Sequence, residues 1–324
     1  MRTLLLVLLF PLLFLGQNSD IQNHSEDNIF TMFYNVENLF DTINSSNTND
    51  ESFLPNSKKK WNTNRYFQKI NQLERVFKEI NNGELPNIIG LCEVENKLVI
   101  EDLLKSPFFI SHNYTIIHQE SPDQRGIDCA LLFDNRFSLL KYDFIKINNP
   151  IANRPTRDIV YVCLNFNNEL IHVFVNHWPS RWGGQNETNH KRVFAAQTLR
   201  DYIDKNIPKD EYMIIMGDFN DYASNESLED VLVKDDLVNL MATGLVTDLG
   251  SYNYKGTWNF IDHVIVSKNS SIYQVLSAGA FSKEFMLYEK KKGDKYPSRT
   301  YGGSVWYGGF SDHLPVYCQL SFTF

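Results

Sequence analysis

The sequence predicts an α/β fold whose sheets are covered by helices on their outer faces. Most apolar runs of strand length are continuous rather than alternating, which indicates strands buried on both faces. Longer segments instead place apolar residues at helical spacing. With 324 residues, of which 43% are hydrophobic, the chain is long enough for one large α/β domain or two small ones.

The predicted elements follow one another along almost the whole chain. Helices are predicted at residues 65–81, 96–105 and 188–206. Strands are predicted at residues 29–35, 87–92, 114–118, 127–133, 159–166, 170–175, 212–216, 261–267, 273–278 and 315–322. The pair Asn167-Asn168 joins two of these strands and is typical of a hairpin turn. By pattern alone, the elements would also suit a doubly wound parallel sheet.

Two motifs place carboxylates directly after apolar runs. One is Gly-Asp-Phe-Asn at residues 217–220, and the other is Ser-Asp-His at residues 311–313. Together and in this order they resemble the signature of the DNase I-like endonuclease/exonuclease/phosphatase superfamily. Members of that superfamily are metal-dependent enzymes that cleave phosphate esters with water.

The resemblance implies a fold more specific than the pattern does. It implies a four-layer sandwich of two mixed β-sheets flanked by helices, with the active site across one end. The motifs extend from Asn35 to His313, so we expect a single domain over residues 29–324.

The first residues predict a secretory signal. A basic start precedes an unbroken apolar run from Leu4 to Leu15, whereas a membrane-spanning helix needs roughly 20 apolar residues. We therefore expect a signal peptide at residues 1–19, a flexible lead-in at residues 20–28, and a secreted or periplasmic protein. An uncleaved membrane anchor is the alternative.

The four cysteines are predicted to be buried free thiols. Cys92, Cys129, Cys163 and Cys318 each lie inside an apolar run, and none belongs to a pair of the CxxC type that zinc sites use. Their spacing gives no indication that any two sulfurs meet.

The net charge of −8 limits which classes of nucleic-acid-binding protein the chain can belong to. An architectural nucleic-acid binder would carry a broad basic face, and the negative net charge argues against this class of protein. A nuclease remains open, because its contact with phosphate is local and metal-assisted.

The resemblance implies a metal site formed by Asn35, Glu93 and Asp312. Asn35 lies in a Tyr-Asn-Val-Glu stretch similar to the element that opens these enzymes, and Glu93 ends an apolar run where the family has its principal metal ligand. Glu95 is an alternative ligand, or a cap of the helix that follows. Oxygen ligands of this kind suit Mg²⁺, with Mn²⁺ or Ca²⁺ as alternatives.

Five further residues match the catalytic positions of the family. His177 resembles a strand-end histidine whose protonated ring stabilises charge at phosphorus or assists the leaving oxygen. Asp218 would position the attacking water or protonate the leaving group, and Asn220 would bind the phosphate. Asp262 would orient His313, which takes a proton from water or orients it.

Other histidines are predicted to be structural. His172 lies inside the same predicted strand as His177, and His263 follows Asp262. The family has an arginine before this aspartate and an aromatic residue after it, whereas this chain has Phe260 and His263. These two differences from the family affect residues that shape the cleft, and therefore the preferred substrate.

Five side chains are predicted to contact the substrate: Arg125, Arg157, Arg299, Tyr301 and Trp306. The first two would contact phosphate or would instead form surface ion pairs. The last three lie in a glycine-rich loop before the Ser-Asp-His motif, where aromatic rings would stack on unpaired bases or enter a lipid interface.

The main prediction is a metal-dependent phosphodiesterase, specifically a secreted endonuclease that hydrolyses DNA, RNA or both. The alternative is a lipid or inositol phosphodiesterase or phosphatase, similar to a sphingomyelinase, and only this alternative requires membrane contact. A noncatalytic binding protein on the same fold is the third possibility. We infer no stable protein partner. Gly-x-Ser-x-Gly, Walker and HExxH motifs are absent.

Overall fold

The computed structural model describes residues 28–152, 154–246, 250–268 and 272–323. The predicted signal peptide and nearly all of the predicted lead-in lie outside these residues. The α-helices are α1 (Thr63–Ile80), α2 (Lys97–Leu104) and α3 (Gln185–Asn206). The strands are β1 (Asn28–Leu39), β2 (Ile88–Val94), β3 (Tyr114–His118), β4 (Asp128–Asp134), β5 (Ser138–Ile145), β6 (Ile159–Phe166), β7 (Glu169–His177), β8 (Tyr212–Asp218), β9 (Leu237–Asn239), β10 (Tyr252–Tyr254), β11 (Thr257–Asn259), β12 (Asp262–Ser267), β13 (Tyr273–Ala280), β14 (Leu287–Lys291), β15 (Asp294–Pro297), β16 (Tyr301–Gly302), β17 (Val305–Trp306) and β18 (Val316–Phe322).

Two six-stranded mixed sheets form the centre of the molecule. The strand order of the first is β13-β18-β1-β2-β4-β3, and β1 and β2 are parallel. The strand order of the second is β5-β6-β7-β8-β12-β9, and β7 and β8 are parallel. The other pairs in both sheets are antiparallel.

The sheets pack face to face through a shared apolar core. Phe33 and Leu131 of the first sheet are buried in one cluster with Val175 and Met216 of the second. Each sheet also buries its outer face, since α1 and α2 cover the first sheet and α3 covers the second. These four layers confirm the predicted sandwich. Burial of both faces explains why the central strands are continuously apolar.

Two local predictions from the sequence are confirmed. Asn167 and Asn168 join β6 and β7 with φ angles of 52° and 71°, as a tight hairpin with both central residues left-handed requires. The four cysteines are free and buried. Among the described residues, no helix combines the length and apolar character needed to cross a membrane.

Several short or largely exposed elements were not predicted. Strand β5 exposes Leu139, Leu140 and Tyr142, so it lacks the apolar continuity of the other strands. Three small hairpins, β10/β11, β14/β15 and β16/β17, also escaped prediction, because five of their strands have two to four residues and the five-residue β14 is largely exposed. They precede the Ser-Asp-His motif and flank one side of the site described next.

Candidate active site

The ends of five strands meet at one edge of the sandwich. The two parallel pairs, β1/β2 and β7/β8, direct their carboxyl ends to this edge. Strand β12 runs antiparallel to β8 and therefore begins there, with Asp262 opposite Asp218 and His177 on the other side of Asp218. Gly217 makes this pairing close, because an added Cβ would lie 2.4 Å from the Asn176 carbonyl oxygen.

Asp218 lies at the centre of the cluster and is 2% exposed. Its Oδ2 accepts a hydrogen bond from Asn35 Nδ2 at 3.0 Å, and its Oδ1 accepts one from the Asn220 backbone N–H at 2.9 Å. Two imidazoles face the same Oδ2, with His177 Nε2 at 3.6 Å and His313 Nε2 at 3.9 Å. The structure thus brings four other predicted residues together around the Asp218 carboxylate.

His313 and Asp262 form a buried dyad. His313 Nδ1 donates to Asp262 Oδ2 at 2.8 Å, and the Tyr252 ring packs over the imidazole with centroids 5.0 Å apart. Burial by itself lowers the pKa of His313, but the negative charges of Asp262 and Asp218 raise the pKa well above its usual value. The predicted orientation of His313 by Asp262 is present in the structure.

His177 has the opposite electrostatic environment. Burial first, and then the positive charges of Arg157 and Arg125, lower its pKa well below the usual value. These surroundings favour the neutral ring, whereas a protonated ring was predicted from the sequence. A neutral ring at this position can still donate or accept a hydrogen bond at phosphate, and His177 Nδ1 has no partner among the described residues.

Glu93 and Glu95 have different surroundings. Glu93 adopts a left-handed φ of 62°, accepts a hydrogen bond from the Asn38 N–H at 3.0 Å, and places Oε1 3.9 Å from His177 Nε2. Glu95 instead binds the Asp41 N–H at 2.7 Å, and burial raises its pKa to about 8. The structure therefore brings Glu93 to the site and uses Glu95 to hold a neighbouring loop.

Asp312 belongs to an ion-pair network with Glu37 and Arg299. Arg299 Nη2 lies 2.5 Å from Asp312 Oδ2, and its Nε lies 3.5 Å from Glu37 Oε1. Burial, followed by repulsion from Asp312, raises the pKa of Glu37 to about 7. Arg299 thus already has two carboxylate partners inside the protein. The prediction that it contacts phosphate did not include these ion pairs.

Lys69 is part of the same network and was not predicted. It is fully buried and donates from Nζ to Thr300 Oγ1 at 2.7 Å and to the Phe310 carbonyl oxygen. Burial lowers its pKa to about 8 although Glu37 and Asp312 attract its charge. Its position one turn before Leu73, on the apolar face of α1, was a signal that could have revealed it.

The predicted stacking of Tyr301 on substrate must be corrected. Its ring is 6% exposed and packs against Trp61 and Trp306, while its hydroxyl donates to the Lys59 carbonyl oxygen at 3.1 Å. Trp306 is half-buried and also contacts Trp61 and the Arg65 guanidinium. These aromatic residues therefore anchor the β16/β17 hairpin.

The remaining predicted contacts converge on the peptide after His177. Arg157 is 5% exposed, donates to the Trp178 carbonyl oxygen at 2.7 Å, and pairs with Asp123 at 3.1 Å. Asn220 Nδ2 donates to the same carbonyl at 3.1 Å. Arg125 is more exposed and also pairs with Asp123, at 3.2 Å. Arg157 and Asn220 thus hold the strand end that carries His177.

Comparison with known proteins identifies the family. The sequence profile described as "Endonuclease/Exonuclease/phosphatase family" matches residues 30–321. The chain belongs to this family. An endonuclease/exonuclease/phosphatase family protein from Bacteroides thetaiotaomicron has a solved structure that matches with a TM-score of 0.59 and 14% identity, over 92% of this chain and 98% of that one. This likeness confirms the DNase I-like fold.

Two curated relatives of this endonuclease/exonuclease/phosphatase protein are similar in sequence. Phospholipase C from Staphylococcus aureus is 25% identical over 176 residues, which is 51% of this chain and 51% of that protein. Sphingomyelinase C 2 from Leptospira interrogans is also 25% identical over 176 residues, which is 50% of this chain and 26% of that protein. The matched part of the chain thus spans about half the length of the first relative and about a quarter of the second.

The acidic residues of this family member fit a divalent cation. Burial, followed by repulsion from Asp262, raises the pKa of Asp218 to about 7, and Glu37 is similarly perturbed beside Asp312. Such crowding of carboxylates is relieved by a bound cation, and hard oxygen donors favour Mg²⁺. Glu93, which retains 15% side-chain exposure, would bind it together with Asn35 and Asp312.

His263, next to the dyad, predicts a pH-dependent stability. Its Nδ1 accepts from Asn239 Nδ2 at 3.1 Å and its Nε2 donates to the Asp221 carbonyl oxygen at 3.0 Å, so the neutral ring satisfies both partners. Burial lowers its pKa from 6.5 to about 4. The unfolded chain binds this proton first, so the stabilisation is present above pH 6.5 and is lost as the pH falls towards 4.

We expect the wild type to lose about 3 kcal/mol more unfolding free energy than His263→Gln between pH 7 and pH 4, measured by urea denaturation. The comparison must be made between the two proteins. Asp218 and Glu37 have raised pKa values and act in the opposite direction over the same range. Parallel stability profiles for the two proteins would contradict the assignment.

Proposed function

We propose that the protein is a metal-dependent phosphodiesterase whose preferred substrate is a phospholipid. The observation that carries the catalytic part is the Asp262–His313–Asp218 array, with separations of 2.8 Å and 3.9 Å, beside Glu93. Proton transfer groups and a cation site are the two parts that hydrolysis of a phosphate ester needs. This assembly disfavours a noncatalytic binding protein.

Within this array, Asp218 and His313 suit different tasks. Asp218, with a pKa of about 7, can accept a proton from the attacking water at neutral pH. His313 is held in the protonated form by Asp262 and Asp218, so its Nε2–H can donate to a phosphate oxygen as negative charge develops. A bound Mg²⁺ would neutralise charge on the phosphate. Neutral His177 would orient the phosphate by a hydrogen bond.

Two observations support phospholipid over the nucleic acid that the sequence favoured. Relatives similar over half of this chain are named phospholipase C and sphingomyelinase C 2. In addition, exposed Tyr254, Val305 and Tyr307 lie on or beside the short hairpins that flank His313 and Arg299. The β14/β15 hairpin adds the exposed Lys290, Lys291 and Lys292. Apolar and basic side chains together suit a lipid surface.

This proposal predicts an interfacial effect of the β16/β17 hairpin. The double variant Val305→Ser/Tyr307→Ser should lower hydrolysis of sphingomyelin or phosphatidylcholine vesicles by about 30-fold, because partial burial of each of the two side chains in lipid contributes roughly 1 kcal/mol. Hydrolysis of a soluble short-chain analogue should not change. Leu140→Ser is the matched control, since Leu140 is 56% exposed on the edge strand β5.

The secretion that we propose from the N-terminal sequence would bring the enzyme to outer membrane leaflets. Vesicles, DNA, RNA and inositol phosphates should be assayed in parallel with Mg²⁺ and with chelator. Cleavage of DNA or RNA without cleavage of any lipid would overturn the substrate proposal and leave the catalytic proposal intact. Loss of metal dependence on every substrate would overturn both.

One specific observation supports nucleic acid as the second candidate. A cavity of about 380 Å³ beside the His177 strand end is lined by Arg125, Arg154 and Lys191, and by Trp182, which is 89% exposed. Guanidinium and ammonium groups beside an exposed indole suit a phosphate next to a base. Under this candidate, Trp182→Ala should raise the KM for single-stranded DNA and leave lipid hydrolysis unchanged.

A further inference from the structure

A second cluster of potential metal ligands lies outside the candidate active site. His118 is the last residue of β3, Asp128 is the first residue of β4, and Glu120 lies in the segment that connects them. His118 Nε2 is 3.6 Å from Asp128 Oδ2. Ligand atoms of all three residues lie within 4.8 Å of one another.

The buried part of this cluster has unsatisfied polar atoms. The side chains of His118 and Asp128 are only 3% and 2% exposed. Among the described residues, neither His118 Nε2 nor Asp128 Oδ2 has a hydrogen-bond partner, whereas Asp128 Oδ1 accepts from the Ser121 N–H at 2.9 Å. Buried polar atoms without partners are rare because each is costly, so these two call for a ligand.

The spacing of the two atoms fits a shared cation. A separation of 3.6 Å is too long for a hydrogen bond. Two ligands that each lie about 2.1 Å from one metal ion are separated by roughly 3.0–3.5 Å, which small shifts of these side chains would reach. Glu120 has an exposed side chain and also lines a cavity of about 300 Å³, so one of the three ligands is open to solvent.

We propose that His118, Glu120 and Asp128 form a second divalent-cation site that prefers Zn²⁺ or Mn²⁺ to Mg²⁺. An imidazole with two carboxylates is a donor set that transition metals favour, whereas Mg²⁺ prefers oxygen ligands and retained water. The site does not depend on the proposed phosphodiesterase activity.

The position of this second site indicates that a bound ion would stabilise the structure rather than take part in catalysis. Its ligands connect β3 and β4 to the segment between them, and that segment also contains Asp123. Asp123 pairs with Arg157, which donates to the Trp178 carbonyl oxygen beside His177. An ion at the second site would thereby stabilise one wall of the active site without touching the reacting atoms.

The test begins with the metal-free Glu93→Gln variant of the full chain, which removes the principal ligand of the active site. In a titration with Zn²⁺ alone, followed by calorimetry, it should still bind one ion per chain. Zn²⁺ at 100 times its Kd should raise Tm by roughly 5 °C. Adding His118→Gln should abolish both effects, whereas adding His112→Gln, a change at an exposed histidine, should preserve both.

A second variant distinguishes loss of the metal site from misfolding. Glu120→Gln changes an exposed side chain and should weaken Zn²⁺ binding by about 10-fold or more while leaving the metal-free Tm unchanged. Substitution of Co²⁺ provides a spectroscopic readout, since its visible absorption should disappear on adding His118→Gln. The proposal is wrong if Glu93→Gln binds no Zn²⁺ below about 100 μM, or if Glu120→Gln and His118→Gln leave the Zn²⁺ stoichiometry and affinity unchanged.

Discussion

Replacing Glu93 with glutamine should lower kcat/KM by about 10³-fold in the presence of Mg²⁺, because the change removes a charged ligand at the cation site and cation stabilisation is worth several kcal/mol. Glu93 has a left-handed backbone, and its carboxylate lies 3.9 Å from His177 Nε2. Steady-state kinetics on the best substrate of the panel would measure the loss.

Glu95→Gln is the matched control. The pKa of Glu95 is raised to about 8, so this carboxyl group is largely neutral at pH 7 and glutamine preserves its shape and charge state. We expect less than about a threefold change in kcat/KM, since the exchange is close to isosteric.

Chelation should abolish wild-type activity, and Mg²⁺ should restore it. Full activity after exhaustive chelation, or a larger loss at Glu95 than at Glu93, would show that the cation site is misplaced.

The second large effect concerns the dyad. His313→Ala and Asp262→Asn should each reduce kcat by roughly 10²-fold or more, which is the usual loss when a positioned acid or base is removed. The double variant should be little worse than either single variant, because the 2.8 Å hydrogen bond makes the two residues one unit.

A double-mutant cycle in kcat tests this expectation. Effects that multiply to about 10⁴-fold would contradict a dyad. His172→Gln is a suitable control, because His172 is also buried but binds Tyr161 and Glu211 away from the active site. Its kcat should remain within about threefold of the wild type once the folded fraction has been measured.

The strand ends could be predicted from the sequence because they depend only on neighbouring residues in the chain. A continuous apolar run must end where the chain leaves the core, so Glu93 and Asp218 were visible as the first polar residues after such runs, and His177 as the second, after Asn176. Their assembly at one edge needed the topology, which came from the family resemblance. The pairing of Asp262 with His313 likewise depends on the antiparallel entry of β12 beside β8.

Other features depend on contacts between residues distant in sequence. Tyr301 was predicted to contact the substrate because its glycine-rich loop precedes the Ser-Asp-His motif, yet Trp61, 240 residues earlier, packs against its ring. Lys69 could not be assigned to Glu37 and Asp312 before the position of α1 on the first sheet was known. The lowered pKa of His177 likewise arises first from burial, and then from two arginines at other positions in the sequence.

The buried free thiols have a practical consequence for work with membranes. Light scattering by vesicles obscures optical unfolding curves, but a cysteine-alkylating reagent reaches a buried sulfur only when the surrounding structure opens. Cys92, Cys129 and Cys318 belong to the first sheet, whereas Cys163 belongs to the second. Peptide masses after timed alkylation would therefore reveal, in the presence of lipid, whether the two sheets open together or one before the other.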